Sequence, residues 1–170
     1  MKLTSAYANK MIKKLNEDRD FLLEQEKEDR TYIIDKTEAE DKQIIARPEY
    51  DYRATSDKLA EINLKIMKLK HAVNINNTVT KMQLKDGTEL TIDQALIRMA
   101  QLNVRKKRLD VMRAAKPVVK VDDSYGSEYR YLNFDPETVK ADFEKISDLI
   151  MDIQLQLDYL NQTVEFEVSL

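Results

Sequence analysis

The most chemically distinctive stretch of the sequence is a run of four basic residues, Arg105-Lys106-Lys107-Arg108, inside a predicted helix. Four adjacent cations can bind phosphate oxygens, so the run predicts a patch for nucleic acid or for an anionic membrane surface. No aromatic residue interleaves the run, which argues against stacking on bases.

An alternative is that the run is neutralised within the protein or across a dimer. Acidic residues recur along the predicted fourth helix at Glu137, Asp142, Glu144, Asp148, Asp152 and Asp158. If this helix lies antiparallel to the helix with the basic run, opposite charges meet. We favour this alternative, and nucleic acid and membrane are the less favoured partners.

A second candidate surface consists of tyrosines in extended segments beside helix starts, namely Tyr50, Tyr52, Tyr125, Tyr129 and Tyr131. Tyrosine is enriched at protein interfaces, so these side chains could line a recognition surface. The alternative, which we favour slightly, is that they cap the ends of a helical bundle. With the basic run, Tyr50, Tyr52, Tyr129 and Tyr131 form the candidate interaction surface.

Residues that could support catalysis or hold a metal are sparse. His71 is the single histidine, and Lys68 and Lys70 beside it would repel a metal cation. There is no cysteine, two glycines cannot form a phosphate loop, and carboxylates at helical spacing are typical of solvated faces. We therefore predict no catalytic, metal or cofactor site and expect a protein that is not an enzyme.

Composition limits the fold class. A chain of 170 residues, 42% hydrophobic and 35% charged, fits a single domain of helices with one buried stripe and a broad solvated face. With only two glycines and three prolines, helices can run long. No apolar stretch has the length of a spanning helix or of a signal peptide, so we expect a cytoplasmic protein.

The net charge of −3 conceals a strong asymmetry. Residues 55–120 carry 14 basic and 6 acidic side chains, whereas residues 121–170 carry 3 basic and 12 acidic ones. The simplest expectation is that these oppositely charged regions face each other.

Two apolar stripes with alternating spacings of three and four residues predict helices in coiled-coil register. They are Leu59, Ile62, Ile66, Leu69 and Val73, and then Val139, Phe143, Ile146, Ile150, Ile153, Leu157 and Leu160. The first helix of this pair is expected to start near Thr55 or Ser56 and to end at Asn74–Thr78. The second is expected to start after Asp135, with Pro136 at its first position, and to end at Asn161–Thr163.

Two further helices and several short strands complete the prediction. One helix runs from the N-cap Thr4 to Asp29, and the other follows a capping box of Thr91 and Gln94 and ends before Pro117. Strands are expected at Arg30–Asp35, Gln43–Arg47, Val79–Leu84, Glu89–Leu90, Tyr129–Phe134 and Val164–Val168, with Asp86-Gly87 as a hairpin turn. The predicted fold is mostly α, an antiparallel bundle of long helices with short β-hairpins at the helix connections.

The two apolar stripes also suggest an internal repeat. Leu59 to Val73 superposes on Phe143 to Leu157, and each helix then leads into an Asn-x-Thr-Val segment. This indicates a duplicated helix-to-strand unit, residues 55–84 and 139–168, with pseudo-twofold symmetry. The alternative, which we favour, is that any two helices with seven-residue repeats align in this way.

Five motifs of the sequence belong together. They are Asn76-Asn77-Thr78, the hairpin Leu84–Thr91, Ala95-Leu96, Asp123-Ser124-Tyr125 with the strand Tyr129–Phe134, and Leu160–Thr163. Taken together, they resemble the septicolysin-like family of small bacterial proteins. The resemblance covers roughly residues 55–165, and residues 1–54 match less well. It implies a helical fold and transfers no functional residue, although the family name refers to a cytolysin.

These observations rank three functions. The leading expectation is a non-enzymatic interaction protein, because coiled-coil stripes need partners, which could be another protein or a second copy in a homo-oligomer. The second is a membrane-active, cytolysin-like protein that exposes its stripes to lipid. The third is a nucleic-acid binder that uses the basic third helix.

Overall fold

A computed structural model describes residues 1–33, 48–123 and 126–170. Within these residues the chain is mostly helical, which confirms the predicted fold class. The helices are α1 (Ser5–Asp29), α2 (Tyr52–Val79), α3 (Ile92–Arg113) and α4 (Pro136–Thr163). The strands are β1 (Lys2–Thr4), β2 (Lys81–Gln83), β3 (Glu89–Thr91), β4 (Val118–Asp123), β5 (Gly126–Tyr131) and β6 (Glu165–Glu167). They form three antiparallel pairs, β1–β6, β2–β3 and β4–β5.

Three of the helices begin at the predicted caps. The Oγ1 atom of Thr4 accepts the N–H of Tyr7 at 3.3 Å. The capping box before α3 is complete, because Thr91 accepts the N–H of Gln94 and donates its own N–H to the Gln94 side chain. Asp135 accepts the N–H of Thr138 at 3.1 Å, immediately before α4. Each cap gives a partner to an N–H that has none within its helix.

The predicted limits of α2 are wrong. The helix begins at Tyr52 and continues through the asparagine-rich segment to Val79. Asn76 is buried, and its Nδ2 donates to the Oγ of Ser5 at 3.3 Å. This tertiary contact outweighs the weak helix propensity of asparagine.

Part of the strand prediction falls outside the described residues. The segments Arg30–Asp35 and Gln43–Arg47 were predicted as strands, and residues 34–47 are not described. Arg30 forms the C-terminal cap of α1, and residues 31–33 have no regular structure. The same applies to Tyr125, which also lies outside the described residues.

The chain divides into two compact units. Unit 1 comprises Met1–Asn76 and Asn161–Leu170, and unit 2 comprises Asn77–Leu160. The expectation of one domain over residues 1–170 stays a prediction.

The core of unit 1 lies between the beginning of α1 and the second half of α2, beside the β1–β6 pair. Its buried apolar residues are Leu3, Ala8, Ile12, Ile66, Leu69 and Val168. The two helices are antiparallel, because Ser5 at the start of α1 meets Asn76 near the end of α2. At the opposite end, Glu26 of α1 bonds to Tyr50, which precedes α2.

The core of unit 2 runs between α3 and α4 in two adjoining clusters. The first contains Met82, Leu84, Ile92, Ala95, Ile153 and Leu157. The second contains Leu109, Val139, Ile146 and Ile150. Met99 and Leu102 pack against both clusters. The start of α3 therefore lies against the end of α4, which makes this helix pair antiparallel as well.

The β2–β3 hairpin confirms the Asp86-Gly87 turn. Gly87 has a φ of 84°, a backbone conformation that residues with a side chain rarely adopt. Asp86 accepts the N–H of Thr88 at 2.9 Å and stabilises the turn. This hydrogen bond is also the main reason why the pKa of Asp86 lies below its usual value.

The two units repeat one plan with exchanged strands. Ala8 and Ala95 are both fully buried one turn into α1 and α3, and Leu69 and Ile153 are both fully buried in α2 and α4. Strand β2 follows α2 of unit 1 but pairs with β3 in unit 2, and β6 follows α4 of unit 2 but pairs with β1 in unit 1. Duplication as the origin of this likeness stays a prediction.

The burial of Leu69 in the core of unit 1 predicts how its substitution will change stability. Leu69→Ala is expected to lower the free energy of unfolding by about 2–5 kcal/mol, because it removes buried methyl groups and leaves a cavity. Met67→Ala on the exposed side of the same helix is expected to change it by less than about 0.5 kcal/mol. Urea unfolding followed by circular dichroism measures both, and equal effects of the two substitutions would contradict this core.

Candidate interaction surfaces

The basic run is distributed around α3 and does not form one patch. Consecutive helical residues are about 100° apart, so four of them point in four directions. Arg105 and Lys106 face α4, where the Nη2 of Arg105 lies 3.2 Å from the Oδ2 of Asp142. The Nζ of Lys106 lies 5.3 Å from the centre of the Phe143 ring. Lys107 and Arg108 are exposed and take part in no ion pair within the described residues.

Arg105 thus meets an acidic residue of α4, as the acidic residues of the fourth helix led us to expect, whereas Lys106 meets an aromatic ring. The Arg105–Asp142 pair is solvent-exposed and contributes little to stability. Phe143 also receives the guanidinium of Arg113 at 3.9 Å from its ring centre, a distance typical of a cation–π contact. Arg105, Lys106 and Arg113 are thus directed toward α4, and Lys107 and Arg108 remain the outward charges of the basic run.

An apolar line runs along the side of α3 that faces away from its core residues. It consists of Ile97, Val104 and Val111, whose exposed fractions are 55%, 71% and 74%. We call these three residues the α3 stripe. Their seven-residue spacing places them on one side of the helix, with the exposed Lys107 and Arg108 between Val104 and Val111.

The α3 stripe is not among the surfaces predicted from the sequence, although its seven-residue spacing is visible there. The core stripe of the same helix contains Ala95, Met99, Leu102 and Leu109 and accounts for its amphipathic pattern. The three further residues were therefore not recognised as a second, independent line. A helix with two apolar lines has more apolar surface than one partner helix can cover.

The candidate tyrosines belong to two different units. Tyr50 and Tyr52 lie in unit 1, and Tyr129 and Tyr131 lie in unit 2. Tyr52 is the first residue of α2 and is exposed, whereas Tyr50 is half-buried and donates its hydroxyl to the Oε1 of Glu26 at 2.5 Å. Tyr50 therefore holds the end of α1 beside the start of α2, which agrees with the favoured structural role.

Tyr129 and Tyr131 lie on one face of β5, and both are exposed. Across the hairpin, Tyr129 is opposite Lys120 and Tyr131 is opposite Val118. Val118 and Val119 are exposed as well. The β4–β5 hairpin thus presents apolar side chains to solvent on both of its faces.

A shallow groove of about 340 Å³ lies in unit 2 beside the β2–β3 turn. Its lining includes Lys85 from the turn and Asp148, Met151, Asp152 and Leu155 from α4. Asp152 is buried, and its carboxylate accepts the backbone N–H of Lys85 at 3.0 Å. This carboxylate anchors the turn to α4, a role that its position among other acidic residues of the helix did not reveal.

Metal ligation finds no support in the described ranges. Residues 1–33, 48–123 and 126–170 contain no group of three histidine, cysteine or acidic side chains that could hold an ion. His71 is exposed on α2. In the same ranges, none of the helices combines the length and the apolar character needed to cross a bilayer.

Comparisons with known proteins concern the fold. No protein-family model and no curated protein matches the chain. A solved structure does match, a functionally unknown conserved protein from Corynebacterium diphtheriae. It has a TM-score of 0.61 and 16% sequence identity, over 98% of this chain and 100% of that chain. The two proteins are therefore alike in fold, and the resemblance to the septicolysin-like family stays a prediction.

The Tyr50–Glu26 hydrogen bond generates a titration prediction. The bond to the Glu26 carboxylate raises the pKa of Tyr50 from 10.0 to about 12. Because the pKa is higher in the folded protein, the stabilisation is complete below about pH 10 and is lost as the pH rises through about 12. At about pH 11, ¹³Cζ NMR should show Tyr50 still largely protonated, and Glu26→Gln should lower its midpoint. Assignment by Tyr50→Phe is the control, and equal midpoints for all eight tyrosines would contradict the bond.

The Asp152 anchor generates a second stability prediction. Asp152→Ala leaves the N–H of Lys85 without its acceptor and is expected to lower the free energy of unfolding by about 1–3 kcal/mol. Asp148→Ala, one turn earlier and exposed, should change it by less than about 0.5 kcal/mol. Chemical denaturation compares the two variants, and an Asp152→Ala protein as stable as the Asp148→Ala protein would show that the bond is unimportant.

Proposed function

We propose that the protein is a non-enzymatic interaction module whose α3 stripe binds an acidic amphipathic helix of another protein. The observation that carries the proposal is the exposure of Ile97, Val104 and Val111 along one line of α3. Large apolar side chains that are exposed in register along one face of a helix favour an interaction site for a second helix.

The spacing of the stripe specifies the shape of the partner. A repeat of seven residues spans two helical turns, and a second helix that lies alongside presents side chains at the same interval. An extended strand would match it poorly, because its side chains on one face repeat every two residues. The favoured occupant is therefore a helix that packs along α3 and inserts its apolar residues beside Val104.

The charges beside the stripe specify the chemistry of the partner. Lys107 and Arg108 are exposed next to Val104 and Val111, while Arg105 is engaged by Asp142 on another side of α3. A partner helix with acidic residues beside its apolar line would meet both cations. A nucleic acid would contact the same cations but would gain little from the three apolar side chains.

A designed acidic peptide tests the proposal. The peptide carries leucine at its core heptad positions and glutamate at the flanking positions, and a shuffled peptide of equal composition is the control. Fluorescence anisotropy should show binding of the first peptide only. Val104→Glu should weaken it at least about tenfold, because a carboxylate would enter the apolar contact.

Matched variants distinguish binding at the α3 stripe from nonspecific apolar binding. Met151→Glu introduces the same charge at a similarly exposed apolar residue of α4 and should change the affinity less than about twofold. Lys107→Glu with Arg108→Glu should weaken binding and reduce its dependence on salt. No binding at about 100 µM protein, or equal losses from Val104→Glu and Met151→Glu, would overturn the proposal.

A further inference from the structure

The β4–β5 hairpin is a pair of six-residue strands that pairs with no third strand among the described residues. An isolated two-stranded sheet has marginal stability in water, because little of its surface is buried. The exposure of Val118, Val119, Tyr129 and Tyr131 shows that both faces of this hairpin are open. Each of its strands is also an edge that another strand could extend.

The register of the β4–β5 pair determines which backbone groups of β5 point outward. The N–H of Leu132 donates to the C=O of Pro117 directly opposite, and such hydrogen-bonded pairs alternate with pairs that are not bonded. The pair of Tyr129 and Lys120 and the pair of Tyr131 and Val118 are of the second kind. The N–H and C=O groups of Tyr129 and Tyr131 therefore point away from β4, and they have no partner within the described part of the chain.

Two copies of β5 are complementary in charge when they run antiparallel. Glu128 and Arg130 lie on either side of Tyr129, and their cross-strand neighbours within the hairpin are Val121 and Val119. When two β5 strands run antiparallel and are centred on Tyr129, each Glu128 lies opposite an Arg130. A shift of the centre to residue 128 would oppose two glutamates, and a shift to residue 130 would oppose two arginines.

Backbone and charge therefore select the same arrangement. We propose that β5 pairs with β5 of a second copy, antiparallel and centred on Tyr129, which joins two hairpins into a four-stranded sheet. Tyr129 and its counterpart then exchange both of their outward hydrogen bonds. Glu128 and the partner's Arg130 occupy a pair that is not hydrogen-bonded, in which opposite side chains approach most closely.

This self-association is independent of the α3 stripe. It uses a different surface and a different recognition mode, the addition of a strand to a sheet edge. Failure of one proposal would therefore leave the other intact, provided that the variants of each surface are measured in both assays.

Sedimentation velocity over a range of concentrations tests the pairing. The full chain should dimerise, and Tyr129→Pro should weaken dimerisation at least about tenfold, because proline lacks the outward N–H. Proline at this position removes no hydrogen bond within the hairpin and is tolerated on sheet edges. Lys120→Pro is the matched control on the outward edge of β4 and should change the dimer affinity less than about twofold.

A charge swap tests the register without any change to the backbone. Glu128→Arg should weaken dimerisation about tenfold, because it opposes like charges in both halves of the pair. The double variant Glu128→Arg with Arg130→Glu restores opposite charges and should return the affinity to within about threefold of the wild-type value. The charge-swap variants still test the proposed pairing if Tyr129→Pro disturbs the hairpin.

Three results would overturn the proposal. One is a wild-type protein that remains monomeric at about 200 µM, and another is a double swap that dimerises no better than Glu128→Arg alone. The third is dimerisation that is lost in Val104→Glu or Lys120→Pro but retained in Tyr129→Pro, because the contact would then lie on the α3 stripe or on β4.

Discussion

Burial of one apolar seam in each unit is the constraint on which the rest of the structure depends. Leu69 on α2 and Ile153 on α4 are fully enclosed, and each lies where a preceding antiparallel helix and a two-stranded sheet meet. A two-stranded sheet is unstable alone, and a helix with one apolar line needs a partner. In each unit, one buried apolar cluster contains residues of both helices and of the two-stranded sheet. The helix pair and the sheet of a unit therefore stabilise each other.

The two units fill the same plan with different chemistry at one position. In unit 2, Ile92 is buried at the start of α3 and Leu160 packs near the end of α4. In unit 1 the corresponding positions hold Ser5 and Asn76, which form a buried hydrogen bond. A buried polar group needs a specific partner, whereas an apolar one does not. If α1 packed against α4 instead of α2, Ser5 would lie beside Leu160 and would have no hydrogen-bond partner. The Ser5–Asn76 bond therefore makes the two cores chemically different.

Local signals made most of the helical fold predictable, and distant pairings made the rest inaccessible. The Thr91 cap, Pro136 after Asp135 and the Asp86-Gly87 turn each depend on neighbouring residues, and each was predicted. Strand β1 was not predicted, since a short strand is specified by its partner and β1 pairs with β6 at the other end of the chain. Strand β4 was also missed, although its partner β5 follows it directly. The candidate surfaces were only partly predictable, because a run such as Arg105–Arg108 does not show which side chains a neighbouring helix will engage.

The exchange of strands between units also determines the order in which the fold can be completed during synthesis. Residues 77–160 contain everything that unit 2 holds, so this unit can form as soon as they have left the ribosome. Unit 1 begins earlier in the chain but lacks β6 until translation passes Val168, whose N–H and C=O bind Met1. Strand β1 therefore remains an unpaired edge until β6 has been made, after all of the residues of unit 2. Chaperones that shield unpaired edges would therefore act on β1 for longer than on any strand of unit 2.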